Sequence, residues 1–245
     1  MVLDISRSDL DPGIFQIWIT DWNAWSSHAA GLKEHLTEDE IQRHARLKIP
    51  EKKDQFLNSR GILRLILSSY LDISPGLIQI ESNSSGKPYL PDSDLSFNLS
   101  HSGDLLLYGF CLKANIGVDI QEVYHIASIE SMIKKTISFK EQSYLERVST
   151  KKRLDAFFDI WTAKEAYIKA LGDGFQQDLT AISLIPDISE SNFTLEHPST
   201  ENNSSEWTIR SIKVKPGYKG SFAVNRKLSR VDIDYIHPSL FYDHL

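Results

Sequence analysis

The segment Phe157-Phe158-Asp159-Ile160-Trp161-Thr162-Ala163-Lys164-Glu165-Ala166-Tyr167-Ile168-Lys169 sets a carboxylate and an ammonium one helical turn apart on a background rich in apolar side chains. Residues four apart share a helix face, so Trp161, Glu165 and Lys169 form a stripe able to line a cleft, while Phe157, Ile160, Ile168 and Leu171 hold the helix to a core. A fold that accommodates this helix needs apolar packing on one side of it and a recess on the other. The same spacing also describes an ordinary surface pair with Glu ahead of Lys, worth about 0.2–0.5 kcal/mol. Other segments have to decide between the two.

The helix belongs to a chain of 245 residues, 41% apolar and 24% charged, the balance of a globular protein with one large core or two domains of roughly 120 residues each. No apolar run reaches the roughly 18 residues of a membrane span. Met1-Val2-Leu3-Asp4-Ile5-Ser6-Arg7 lacks a basic stretch followed by an apolar one, so a cytoplasmic protein with no membrane partner is expected. The single cysteine, Cys111, excludes an intrachain disulfide and a cysteine-based zinc site, and in the run Leu105 to Cys111 it reads as a packed core thiol. A net charge of −6 argues against a general nucleic-acid binder, whose affinity accumulates from Lys and Arg. Arg43, His44, Arg46, Lys48, Lys52 and Lys53, broken by Glu51, nevertheless make a positive island suited to a multiply charged anion or to a solvated helix face.

Element signals alternate along the chain. Gly13 to Ile19 reads as a strand, and Thr37-Glu38-Asp39-Glu40 is a capping box that opens a helix running to about Lys48. Beyond Pro50, the pattern Phe56, Leu57, Arg60, Leu63, Arg64, Leu67, Leu71 predicts a longer helix with both arginines on one face, ended by Ser74-Pro75-Gly76. Short strands follow at 77–81, 95–99, 105–112 and 116–120. After Gln121 the order recurs, with helices at 127–137, 140–148 and 151–171 and strands near 181–184, 207–214, 220–225 and 231–236. An α+β protein of two halves is expected, 1–121 and 122–245, with no repeat apparent at the level of residues. Ser189 to Glu206, rich in Ser, Asn and Glu, reads as a surface excursion with a short strand at 193–195.

Three constellations carry chemistry. In Gly117-Val118-Asp119-Ile120-Gln121, strand alternation sends Asp119 and Gln121 to one face, and a carboxylate with an amide carbonyl offers hard oxygens of the kind Mg²⁺ takes. Phe97-Asn98-Leu99-Ser100-His101-Ser102-Gly103-Asp104 places hydroxyls, an imidazole and a glycine at a strand end, where phosphate contact fits better than a serine nucleophile. The strand-turn-helix elbow of a hydrolase is missing, and adjacent strand residues point to opposite faces. Gly86-Lys87-Pro88 holds a lysine beside a fixed backbone, either a phosphate donor or a loop charge.

Taken in order, these segments resemble the Sfp-type 4′-phosphopantetheinyl transferases. The resemblance is carried by Arg43 to Arg46, Arg60 with Leu63-Arg64, Gly86-Lys87-Pro88, Phe97 to Ser102, Gly117-Val118-Asp119-Ile120, and Trp161-x-x-Lys164-Glu165-Ala166-x-x-Lys169 followed by Gly172-x-Gly174, spanning roughly 36 to 175. It implies two pseudo-symmetric α+β halves with the active site at their interface. It also implies Mg²⁺-dependent transfer of the phosphopantetheine arm of coenzyme A to a serine of an acyl or peptidyl carrier protein, with release of 3′,5′-ADP.

By motif position the resemblance assigns Asp119, Gln121 and Glu165 to the metal, Glu165 as base for the carrier serine, and Lys169 to the phosphate and leaving group. Lys87, Ser100 and His101, with Arg43 and Arg60, would contact coenzyme A phosphates. Gln121 stands where bacterial relatives often carry Glu, which leaves two charged ligands and admits a coenzyme-binding module without turnover as a second reading. Carrier proteins are commonly acidic, so Lys134, Lys135, Lys140, Lys151, Lys152 and Arg153 are candidates to meet one. Carriers of fatty-acid, polyketide and nonribosomal-peptide synthesis all fit, and both halves in one chain imply a monomer.

Overall fold

The computed structural model describes residues 10–124, 129–172, 178–187, 191–197 and 206–244, and within them strand and helix alternate twice. The first pass runs β1 (Ile14–Asp21), α1 (Ala29–Glu34), α2 (Glu38–Arg46), α3 (Pro50–Leu71), β2 (Glu81–Ser82), β3 (Pro88–Tyr89), β4 (Leu95–Ser102) and β5 (Leu105–Leu112). The second runs β6 (Ile116–Glu122), α4 (Ile129–Thr136), α5 (Phe139–Arg147), α6 (Thr150–Leu171), β7 (Ser183–Asp187), β8 (Asn192–Glu196), β9 (Thr208–Ile212) and β10 (Tyr218–Val224), and β11 (Arg230–Tyr235) follows. The mixed α+β class is as expected. None of the described helices is long and apolar enough to cross a membrane.

A residue-level repeat, not apparent from the sequence, joins the two passes. The Thr37–Glu40 capping box opens α2, and Ser138–Glu141 opens α5 in the same way. Each box glutamate also reaches the 22-residue helix that follows. Glu40 pairs with Arg64 of α3 at 2.7 Å, and Glu141 pairs with Lys164 of α6 at 2.5 Å. Both cations then satisfy backbone carbonyls, Arg64 those of Pro75 and Ile78, Lys164 those of Thr136 and Leu179. Cap and cation thus fix where each long helix begins relative to the loop that leaves it. Because the Ile78 carbonyl serves Arg64 rather than a strand partner, the strand expected at 77–81 shrinks to Glu81–Ser82, paired with Pro88–Tyr89.

Strand pairing distributes the strands between two larger sheets. The first sheet has the order β11-β1-β5-β4, with β11 parallel to β1, and the second has the order β6-β10-β9-β8-β7. The strand carrying Asp119 therefore lies in the second sheet, hydrogen-bonded to β10, while a strand from the far end of the chain completes the first. The sheets pack face to face through Phe15, Leu107, Cys111, Val118 and Phe222, with the Phe15 and Phe222 rings stacked at 4.7 Å. Helix α3 covers the outer face of the first sheet and α6 that of the second. The short strand expected at 193–195 is present as β8. Parts of the excursion from 189 to 206, together with Gly174 of the signature, lie outside the described residues.

One seam between the sheets is made of side chains. Asn98, Ser100 and Ser102 project from one face of β4 and accept hydrogen bonds from the backbone N–H groups of Val118, Ile120 and Glu122, at 2.9, 3.3 and 2.9 Å. They stand where a neighbouring strand would place its carbonyls, so the donors of β6 that would otherwise be orphaned are satisfied.

Candidate functional site

Gly117 brings the strand of Asp119 against the helix of Glu165. A Cβ on it would lie 2.0 Å from the Ala166 carbonyl oxygen and 2.6 Å from the Ala170 nitrogen, so only glycine permits this approach of β6 to α6. Two residues on, Asp119 faces the α6 stripe predicted from Glu165 and Lys169. Its carboxylate is 2% exposed. Oδ1 accepts from Ser100 Oγ at 2.8 Å and from Lys169 Nζ at 2.7 Å, and Lys169 also donates to Ser100 Oγ and to the Val118 carbonyl.

Glu165 lies within the same field. Burial, reinforced by the Asp119 charge and opposed by Lys169, pushes its carboxyl up to about 7. Its Oε1 is buried without a hydrogen-bond partner. A carboxyl of this kind is divided between acid and base forms near neutrality, the condition for proton transfer. Gln121 stands beside Asp119 with Nε2 3.4 Å from Oδ2, and Ser102 Oγ approaches its Oε1 at 3.5 Å.

Lys87 borders the site from the β2–β3 turn. Its ammonium donates to the carbonyls of Ile116 at 2.9 Å and Ala170 at 3.2 Å, tying the turn to the start of β6 and the last turn of α6. Burial lowers it to about 8, and Asn83 adds a bond from Nδ2 to the Gly172 carbonyl. Gly172 ends α6 in the left-handed region at φ 81°, which frees that carbonyl to face the turn. Gly86, Lys87, Asn98, Glu165, Ile168 and Lys169 line a cleft of about 230 Å³.

Asp119, Glu165, Lys169 and Ser100 thus converge, with Gln121 adjacent and Lys87 on the rim. His101 is exposed on the opposite side of β4 from Ser100. Desolvation by the packed chain around its ring lowers the imidazole, and the charges of Lys52 and Lys169 lower it further. Ser100 is engaged by Asp119, Lys169 and the Ile120 N–H, and among the described residues no Ser100–His101 bond exists to make a hydrolase nucleophile. Arg43 and Arg60 flank Phe56, with their guanidinium groups 5.3 and 6.0 Å from the centre of its ring. Arg64 turns inward to Glu40. Of the basic residues near α6, Lys140 pairs with Glu196 and Arg153 with Glu130, whereas Lys134, Lys135, Lys151 and Lys152 are exposed.

Sequence reasoning missed Asn98 and Ser102 as supports of β6, and Lys164 as the anchor of α6. For the first two the signal was present: polar residues recur with period 2 on one face of a strand whose other side chains are mostly apolar.

The donor set can be tested against a divalent cation. Among the described residues no three His, Cys, Asp or Glu side chains gather into a metal cluster. The orphaned Glu165 Oε1 and the Asp119 carboxylate that raises its pKa are, however, two hard oxygen groups in mutual repulsion, which a small divalent cation relieves. On that ground the residues fit one.

A family model described as the 4′-phosphopantetheinyl transferase superfamily matches residues 115–224, and one described as 4′-phosphopantetheinyl transferase, N-terminal, matches 20–109. The chain is 36% identical over 162 residues to the 4′-phosphopantetheinyl transferase HetI of Nostoc sp., covering 64% of this chain and 68% of that one. It is 28% identical over 197 residues to the 4′-phosphopantetheinyl transferase Sfp of Bacillus subtilis, covering 75% and 85%. Similarity to the L-aminoadipate-semialdehyde dehydrogenase-phosphopantetheinyl transferase of Schizosaccharomyces pombe, at 27% identity, extends over 94% of this chain and 90% of that one.

Proposed function

The chain belongs to the 4′-phosphopantetheinyl transferase superfamily, and from that premise we propose how the cleft bordered by the β2–β3 turn, β4 and α6 performs the transfer. The donor is coenzyme A and the acceptor is a serine hydroxyl of an acyl or peptidyl carrier protein. The serine oxygen bonds to the phosphorus that bears the pantetheine arm, the P–O bond to the adenosine bisphosphate breaks, and 3′,5′-ADP leaves.

The observation that carries this reading is Glu165, a buried carboxyl held near neutrality, with a free oxygen, beside Asp119 and one turn from Lys169. Its ionised form takes the proton of the carrier serine. Lys169, on a flexible stem, exchanges its contacts with Asp119 and Ser100 for the transferred phosphoryl group and neutralises charge on the departing oxygen. Lys87, on the cleft wall, and Ser100, beside Lys169, meet phosphate oxygens. His101, Arg43 and Arg60 meet them from outside, toward the 3′-phosphate. Asp119 and Glu165, with Gln121 as a neutral donor, would hold Mg²⁺, which when bound neutralises the diphosphate and orients it. The exposed Lys134, Lys135, Lys151 and Lys152 offer an acidic carrier a positive approach to α6. The protein acts as a cytoplasmic monomer, and carriers of fatty-acid, polyketide and nonribosomal-peptide assembly are its candidate partners.

The test is to incubate the protein with coenzyme A, Mg²⁺ and a panel of unmodified carriers and to weigh each carrier by mass spectrometry. A gain of one phosphopantetheine unit, lost in Glu165→Ala and on chelation, is expected. No gain on any carrier overturns the reading.

A further inference from the structure

The three β4 side chains that support β6 are not equivalent. The serines offer one oxygen each, but Asn98 offers an amide with two ends. The Val118 N–H is a donor, so the oxygen of that amide has to face it, as it does at 2.9 Å, and the planar group then points its NH₂ elsewhere. Asn98 is only 4% exposed, and it lines the cleft that Lys87, Glu165 and Lys169 share. Among the described residues no acceptor receives a hydrogen bond from its Nδ2. An amide donor held by its own oxygen in a buried part of the wall, in a cleft shared with two ammonium groups, is complementary to an anionic oxygen.

We propose that Asn98 is a substrate-binding residue whose Nδ2 donates to a phosphoryl oxygen of the donor nucleotide, while its Oδ1 holds the strand of Asp119. The inference rests on the proposed use of the cleft for coenzyme A. One planar group would then register the ligand and the metal-facing strand together, because Val118 is the immediate neighbour of Asp119. The basic residues of the cleft neutralise phosphate without fixing its orientation. A neutral donor of fixed geometry adds that orientation.

Calorimetric titration of coenzyme A into the wild type, Asn98→Ala and Asn98→Asp, paired with thermal unfolding of each, tests this. Asn98→Ala removes both ends, and it is expected to bind coenzyme A roughly tenfold or more weakly and to unfold at a lower temperature. Asn98→Asp keeps an acceptor for Val118 but sets an anionic oxygen where the donor stood. It is expected to lose more affinity than the alanine variant while unfolding closer to the wild type. Tight binding by the wild type with unchanged affinity in Asn98→Ala overturns the donor role, as does Asn98→Asp binding as well as the wild type. Failure of the wild type itself to bind coenzyme A overturns the reading of the cleft, and this inference with it.

Discussion

The Lys169 ammonium sits 2.7 Å from Asp119 Oδ1 and is the cation that balances this buried carboxylate. Lys169 is itself 29% exposed, so it can leave the pair without unfolding α6. In Lys169→Met the carboxylate loses that partner, and the protein in a chelating buffer is expected to lose about 1–3 kcal/mol of stability. Millimolar Mg²⁺ is expected to restore most of it, read as a rise in unfolding temperature larger than in the wild type. An unchanged melting curve in chelator would contradict the pairing.

Glu165 gives a dependence on pH of the opposite sign to that of a salt-bridged carboxylate. Its folded pKa of about 7 lies above the ordinary 4.5, so the folded state favours the protonated form and ionisation costs stability. The penalty starts as pH rises past the ordinary value and is complete above the folded one. At about 1.4 kcal/mol per pKa unit, the shift from 4.5 to about 7 bounds it at roughly 3–4 kcal/mol. Glu165→Gln is therefore expected to match the wild type at pH 4.5 and exceed it at pH 8 in metal-free denaturant titrations. Equal stability at both pH values would remove the argument for a buried, near-neutral base.

Gly117→Ala tests the approach of β6 to α6. The added methyl would meet backbone atoms at 2.0 and 2.6 Å, and these cannot turn aside as a side-chain end can. A loss of about 3 kcal/mol or more is expected from chemical denaturation. Any folded fraction should transfer poorly, since Asp119 and Glu165 are then held further apart. Retention of both stability and activity would mean the contact is looser than described.

Glu141 and Lys164 are both fully buried. Burial raises the first and lowers the second, and their mutual attraction opposes this. Replacing one, as in Lys164→Met or Glu141→Gln, strands the other and is expected to cost about 3–5 kcal/mol. A double-mutant cycle should return a coupling of about 2 kcal/mol or more. The matching cycle on Glu40 and Arg64 should give less, because Glu40 is 15% exposed and partly solvated. Equal coupling in the two pairs would show that solvation of Glu40 does not matter.

Some of this was legible in the chain and some was not. The α6 stripe, the Thr37–Glu40 box and the Asp119 strand were readable because each depends on neighbours within one or two turns of chain. The Glu165–Lys169 spacing left open whether a surface pair or a cleft was present. The structure places Lys169 on Asp119 instead of on Glu165, a pairing across fifty residues that no local pattern encodes. Ser100 was readable as polar at a strand end, but its engagement by Asp119, Lys169 and Ile120 depends on where β6 lies. The equivalence of Arg64 and Lys164 was hidden because the two residue types differ, although each plays the same part toward a capping-box glutamate.

What the amino-acid order determined alone is local: which segments are helices and strands, which of their faces are apolar, and which residue types each face offers. Periodicity and capping act between residues a few positions apart, so they can be read directly. The tertiary structure alone decided that Asp119 belongs to the second sheet and that β11 closes the first. It also decided that the Glu165 carboxyl stands near neutrality. Those outcomes depend on burial and on charges brought together from distant segments, and they arise only once β6, α6 and β4 are packed against one another.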